Sequence, residues 1–386
     1  KQPAINREVI MIRKSIDLFS RYVVGGLFIF SGLIKLNDPV GTEIKLEEYF
    51  EVFAVDFGSF FRVLIPYALE LGLILIVLEV VLGVAVLIQY RMKLTTTVLL
   101  VLIVFFTFLT GYSAIFNKVT DCGCFGDAIK LTPWQSFYKD LILIVFILHL
   151  FWYRKRYDPV LRTREGHAVI LGVTALSFFL GIYAIRHLPF IDFRAYKVGN
   201  NIPEQMTLPP GAKRDSVVMT FIYETKGKLV ELTMNELNQI DSTYQFVDRK
   251  DKVVRLGDRP KITDYAVTDR DGNTVTQQTF QGAKLILVIH NVKQASVKNI
   301  GRIRNLVNAL EGKVDVLVLT SSPETEFEMF RHEYQLPVPY YFADATVLKT
   351  IVRSNPGLTL WVNGTVKGMW HHNDTPEASE VISLAQ

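Results

Sequence analysis

The only two cysteines in this sequence, Cys122 and Cys124, stand either side of Gly123 in the heptapeptide Asp121-Cys122-Gly123-Cys124-Phe125-Gly126-Asp127. A single intervening glycine gives the backbone the freedom to turn tightly, and a disulfide closed across so small a ring is strained. Strained disulfides are more oxidising than structural ones and exchange more readily. Three chemistries are open to the pair: thiol-disulfide exchange, a static disulfide that locks a loop, and metal ligation. Two thiolates with no neighbouring histidine are an incomplete zinc set, since His149 lies at the far end of the next apolar segment, and no metal is expected.

A second group of candidates is defined by cost. Arg21, Lys35, Glu70, Glu79 and Lys139 stand in long apolar segments, where charges are expensive unless partnered. At 100° per residue, Glu70 and Glu79 face about 180° apart on one helix, whereas Arg21 and Lys35 share a face to within about 40°. In antiparallel helices Lys35 is expected near the depth of Glu70, and Arg21 near that of Glu79. Both pairs cannot form across one interface, which turns one glutamate elsewhere, with Glu70 expected to face Lys139 and the cysteine loop. The charges serve either to fix helix registry or to handle protons.

These residues need membrane helices to hold them. Leu94 to Phe116 is an uncharged run of 23 residues, long enough at 1.5 Å per residue for a hydrocarbon core of roughly 30 Å. Companion spans are expected at Ile16 to Leu36, Ile65 to Tyr90, Trp134 to Tyr153 and His167 to Ile185. The first has no small-residue cleavage pattern and is not read as a cleaved signal peptide. Lys and Arg number eleven in the amino-terminal segment and the alternate loops that follow spans two and four, against four in the other loops. By the positive-inside rule the first set is cytoplasmic, so the cysteine loop and everything after Ile185 lie on the far side, the periplasm of a bacterial inner membrane. The expected divisions are a cytoplasmic amino terminus (1–15), a four-helix membrane domain (16–155), a loop and fifth span (156–187), a β-rich linker region (188–260) and an α/β domain (261–386). Membrane lipid is the surrounding partner.

Composition agrees with two solvents in one chain. Half the residues are apolar (49%), mean hydropathy is +0.24, and Lys plus Arg (42) nearly balance Asp plus Glu (38). No basic stripe interleaved with aromatics occurs, so no nucleic-acid partner is expected. No phosphate loop, Ser-His-Asp arrangement or His-Glu-x-x-His motif is present.

Beyond Leu188 a hairpin is expected over Val217 to Tyr223 and Lys228 to Leu232, and another around Asp269-Arg270-Asp271-Gly272-Asn273. The pattern then alternates. A strand at Lys284 to Ile289, a helix at Ala295 to Glu311, a strand at Val314 to Leu319, a helix at Glu324 to Tyr334, a strand at Tyr340 to Phe342, a helix at Ala345 to Val352 and a hairpin across Asn363-Gly364 imply an α/β sandwich. His290 reads as a satisfied core histidine. His371 and His372 read as exposed, because neighbours on a strand point apart. Glu43 to Glu51 reads as a solvated acidic helix.

This order, with Asn355-Pro356 directly before the penultimate strand, resembles the thioredoxin-like fold of the peroxiredoxin and thiol-carrier type over about Ile262 to Gln386. The resemblance implies a cis-proline at Pro356 and places the family's two redox positions near Ala295 and Lys298. Neither is cysteine, so the redox activity does not follow from the resemblance. The region Arg21 to Tyr153, with Gly26 to Leu36, Pro66 to Glu70 and Cys122 to Gly126, resembles the DoxX/MauE superfamily of bacterial membrane proteins. MauE-type members are implicated in making methylamine dehydrogenase, whose small subunit is disulfide-rich.

Three functions compete. A thiol-disulfide relay would exchange Cys122 and Cys124 with a periplasmic protein and pass electrons to or from a membrane quinone or another thiol protein. A non-catalytic scaffold would use the groove beside Pro356 to bind a periplasmic protein. Transport would rest on the intramembrane charges, without the internal repeat or broken helices of carriers.

Overall fold

The computed structural model describes residues 2–119, 123–213, 216–225, 227–234, 236–241, 243–255 and 257–386. Five helices are long and apolar enough to cross a membrane. The first is the carboxyl-terminal part of α1 (Gln2–Asn37). A shorter helix, α2 (Pro39–Asp56), follows at once; Asp38 starts it by accepting the Gly41 amide at 3.0 Å, with Pro39 in the first turn, where its missing N–H costs nothing. The second span opens as a 3-10 stretch at Ser59–Tyr67 and becomes α3 (Ala68–Leu87) only beyond Pro66. The others are α4 (Met92–Phe116), α5 (Pro133–Trp152), which opens on a Thr132/Gln135 capping box, and α6 (Thr163–Arg186).

Small residues set the register of α1 against α3. A Cβ at Gly32 would meet Val80 Cγ2 at 2.5 Å, and one at Gly83 would meet the Gly25 carbonyl at 2.8 Å. Bare backbone lets the two helices touch, and dispersion over that close contact favours their association where lipid offers no hydrophobic drive. One end of the bundle gathers the end of α1, α2, the start of α3 and the cysteine loop. The other carries the α3–α4 turn and the α5–α6 loop, joined where Val160 donates to the Ile88 carbonyl at 3.1 Å.

Residues Asn200–Tyr265 form a compact unit of their own. It contains α7 (Ile202–Gln205) and an antiparallel sheet in the order β2-β1-β3, from β1 (Ser216–Thr225), β2 (Lys228–Thr233) and β3 (Gln245–Arg255). The first hairpin matches expectation, while β3, polar over Asp248 to Lys252, carries no apolar alternation to reveal it.

Ala266–Gln386 belongs to the same compact unit as the helices. Its elements are β4 (Val267–Thr268), β5 (Ala283–Ile289), α8 (Ile300–Leu310), β6 (Asp315–Thr320), α9 (Glu324–Glu333), β7 (Tyr340–Ala343), α10 (Ala345–Ile351), β8 (Gly357–Val362), β9 (Thr365–His371) and α11 (Ala378–Ala385). The sheet order is β4-β7-β6-β5-β8-β9. Parallel β5 and β6 joined through α8, with the antiparallel β8–β9 hairpin on the other edge of β5, make the domain thioredoxin-like. The Asn355–Pro356 peptide is cis. β5 is buried on both faces, hence its unbroken apolar run, and α8 lays Ile303, Leu306 and Leu310 onto it. Asn363 and Gly364, both with positive φ, make the turn between β8 and β9.

Candidate functional site

At the cysteine end the helices enclose a cavity of about 90 Å³. Its walls are mostly apolar side chains of α1, α3, α4 and α5, and α2 roofs it through Leu46 and Tyr49. Two ion pairs interrupt that lining. Lys35 Nζ lies 2.6 Å from Glu79 Oε1, both groups nearly inaccessible to solvent. Lys139 Nζ lies 2.5 Å from Asp140 Oδ1, and Asp140 Oδ2 accepts from Thr110 at 3.0 Å. The ammonium groups also lie over aromatic faces, Lys35 at 5.1 Å from the Phe106 ring and Lys139 at 5.6 Å from Phe125. Each buried charge is therefore paired, as low dielectric requires.

Gly123, Cys124 and Phe125 line the same cavity. Gly123 has φ +61°, a conformation that favours glycine, and a Cβ there would sit 3.1 Å from Lys45 Cγ on α2, so the Lys45 side chain would have to give way. The Ser31 hydroxyl is 2.8 Å from the Cys124 carbonyl and 2.9 Å from Glu79 Oε2. Its single proton serves one acceptor at a time, linking the cysteine loop to the Lys35–Glu79 pair. Cys124 is a free thiol. Burial pushes its pKa above the ordinary thiol value, opposed by the neighbouring Lys139 ammonium. Cys122 and Asp121 lie outside the described residues.

The intramembrane charges combine differently from expectation. Lys35 pairs with Glu79 rather than standing level with Glu70, because the glycine-set register puts Gly32 beside Ile76 and Val80. The same register carries the start of α3 beyond the end of α1 to the level of α2, where Gly72 packs on Thr42 and Leu46. Glu70 consequently lies exposed beside Glu43 and faces neither Lys139 nor the cysteine loop. Arg21 does not reach Glu79. With the Gln89 carboxamide turned oxygen-first, its guanidinium donates to Gln89, whose nitrogen donates to the Asp158 carbonyl at 2.9 Å. Asp140, adjacent to Lys139, was hidden in the sequence by its place at the head of an apolar run. At the opposite end Asp17 accepts from His149 Nε2 at 2.7 Å and Tyr157 at 3.0 Å, a cluster the sequence does not group.

The acidic helix α2 is not merely solvated. Its apolar face buries Leu46, Tyr49 and Phe53, and its Glu47 pairs with Lys349 of α10. Glu43 lies on the same seam, and burial, reinforced by Glu47, raises its pKa to about 7.

In the thioredoxin-like domain the helix expected from Ala295 begins at Ile300, since residues 292–299 form a 3-10 turn and a loop. Ala295 and Lys298 therefore lie in a loop rather than opening the helix. That loop runs beside Pro356, where the Ser296 amide donates to the Asn355 carbonyl at 2.8 Å. The Asn355 carboxamide donates to the Asn291 carbonyl at 2.8 Å. His371, expected to be exposed, is buried, and its ring centroid lies 4.1 Å from that of His372 with the planes tilted by 35°. The strand ends at His371 and turns into a 3-10 segment, which brings the neighbouring rings together. Burial lowers the pKa of His371 to about 3 and of His290 to about 4. Among the described residues no group of three or more His, Cys, Asp or Glu side chains is placed to hold a metal ion.

This arrangement of apolar helices and cysteine loop agrees with what the chain resembles. Residues 13–153 match the family described as Methylamine utilisation protein MauE, so the amino-terminal part of the chain carries a MauE-family membrane domain, and the protein is a multi-pass membrane protein. Residues 217–255 match a domain of unknown function, DUF8463. Protein TlpB of Flavobacterium psychrophilum is 26% identical over 230 residues, which cover 56% of this chain and 58% of that relative. The chain thus spans less than two thirds of that relative's length. No solved structure matches.

Proposed function

We propose that the protein is a membrane-anchored thiol-disulfide redox protein of the bacterial inner membrane, with Cys122 and Cys124 as its reactive pair. The observation that carries this reading is the cavity itself: a cysteine thiol, two ion pairs and an apolar lining converge on one intramembrane space. The Lys and Arg asymmetry of the loops supports a periplasmic side for the cysteine loop and the thioredoxin-like domain, where a disulfide persists. MauE similarity over residues 13–153 supports the same class of function.

The electron acceptor on this reading is a membrane quinone. Oxidising the two thiols forms one S–S bond and releases two electrons and two protons, which reduce the quinone to a quinol. A 150 Å³ apolar cavity accommodates a benzene ring, so a space of about 90 Å³ takes the carbonyl edge of a quinone and leaves the rest of the ring and its tail in the mouth of the cavity and the lipid. On this reading Lys35 and Lys139, which line the cavity in ion pairs with Glu79 and Asp140, donate to that edge. A periplasmic protein dithiol is the electron source: one of its thiolates attacks the Cys122 sulfur of the oxidised Cys122–Cys124 disulfide and displaces the Cys124 thiolate, and its second thiol then breaks the mixed disulfide, leaving the partner oxidised and both cysteines reduced.

Purified protein, reduced and freed of reductant, should be oxidised by a short-chain ubiquinone analogue, read as loss of two alkylatable thiols per chain. Lys139→Met should slow that oxidation. Thiols that stay reduced under excess quinone, with the protein folded, would remove the quinone from the reading.

A further inference from the structure

The thioredoxin-like domain holds no cysteine, yet one of its side chains reaches the cysteine loop. Arg353, between α10 and Pro356, is 5% exposed. Its Nε lies 3.1 and 3.0 Å from the two carboxylate oxygens of Asp38, its Nη2 lies 3.2 Å from Asp127 Oδ2, and its Nη1 donates to the Lys349 carbonyl at 2.7 Å. Neither acid is incidental. Asp38 caps α2, the roof of the cavity, and Asp127 closes the cysteine motif three residues beyond Cys124.

Polar contacts thus reach the described part of the cysteine loop from two sides. Ser31 reaches the Cys124 carbonyl from below, and Arg353 reaches Asp127 from the thioredoxin-like domain. A planar guanidinium can serve two carboxylates at once, which a lysine ammonium cannot match in geometry. Without it, Asp38 and Asp127 would face each other as like charges, since Lys130, 4.0 Å from Asp127, is largely exposed and screened. Beside Pro356, the Asn355 carbonyl accepts from the Ser296 amide and its carboxamide nitrogen donates to the Asn291 carbonyl, while Asn355 Oδ1 is buried without a hydrogen-bond partner.

We propose that Arg353 is a positioning residue for Cys124, and that the thioredoxin-like domain acts as an intramolecular clamp which holds the cysteine loop over the cavity. This deepens the redox reading and rests on it for its purpose, although the clamp can be measured without any partner or quinone.

The test uses the full chain in detergent with Cys122→Ser, so that Cys124 is the sole thiol, and follows its alkylation by iodoacetamide against pH. Arg353→Gln should free the loop and raise the rate about tenfold at neutral pH, with the pH midpoint falling toward that of an ordinary thiol. Arg353→Lys should lie between. Asp127→Asn, which keeps the side-chain shape, should reproduce part of the gain, and the charge exchange Arg353→Asp with Asp127→Arg should restore part of the slow rate. Lys349→Gln, which loosens the same seam without touching the cysteine loop, should leave the rate unchanged. An unaltered rate and pH profile in folded Arg353→Gln and Asp127→Asn would overturn the proposal; should Arg353→Gln not fold, Asp127→Asn decides. Faster alkylation combined with thiols that no quinone oxidises would keep the clamp and remove the quinone reading.

Discussion

Breaking the Lys35–Glu79 pair tests whether the cavity charges are coupled as the structure places them. At 2.6 Å and with Glu79 2% exposed, the attraction is about 6 kcal/mol at an effective dielectric of 20. Most of that offsets the desolvation of both groups. The net value of the pair is therefore small, but removing one member strands the other and costs about 3–5 kcal/mol. Glu79→Gln keeps the shape and leaves Ser31 an acceptor, which isolates the loss of charge; Lys35→Met keeps the length of the stem. Each single variant should lose about 3–5 kcal/mol, and the double variant well under the sum, giving a coupling energy of at least about 2 kcal/mol. Equilibrium unfolding in mixed micelles, followed by circular dichroism, measures all three. Additive losses would show that Lys35 and Glu79 do not share a partner, and would refute the register of α1 on α3 deduced from Gly25, Gly32 and Gly83.

Gly123→Ala should cost about 1–2 kcal/mol for a left-handed backbone carrying a Cβ, with a further change in Cys124 alkylation as the loop shifts off Lys45 Cγ at 3.1 Å. Glu43, raised from 4.5 to about 7, binds its proton more tightly in the folded protein. Its contribution is present below about pH 4.5 and is lost as pH rises through 7, worth about 3 kcal/mol; Glu43→Gln should flatten that limb of thermal stability against pH. His290, lowered from 6.5 to about 4, works in the opposite sense. Stability is full above about pH 6.5 and falls as pH drops toward 4, so His290→Asn should reduce acid sensitivity in the same melts, and a persistent acid limb would assign it to His371 instead.

Much of the architecture is legible along the chain because solvent writes it there. A hydrocarbon core demands some twenty apolar residues per helix, so five spans stand out, and the loops' Lys and Arg give an orientation. Strands such as β5, buried on both faces, appear as unbroken apolar runs, and Asn363-Gly364 announces its own turn. Cys122 and Cys124 stand out from composition alone, as the two cysteines of the sequence. What the sequence could not determine is how far one helix slides along another. That offset depends on where bare backbone allows two helices to touch, and it decides that Lys35 meets Glu79, that Glu70 stands exposed at the level of α2, and that Arg21 meets Gln89. Asp140 became visible only when the bundle turned it inward beside Thr110 and Lys139. Arg353 is one arginine among many until folding carries it across more than two hundred positions to Asp127. Local patterns record the solvent each residue meets, whereas partners distant in sequence are chosen by packing, which no local pattern contains.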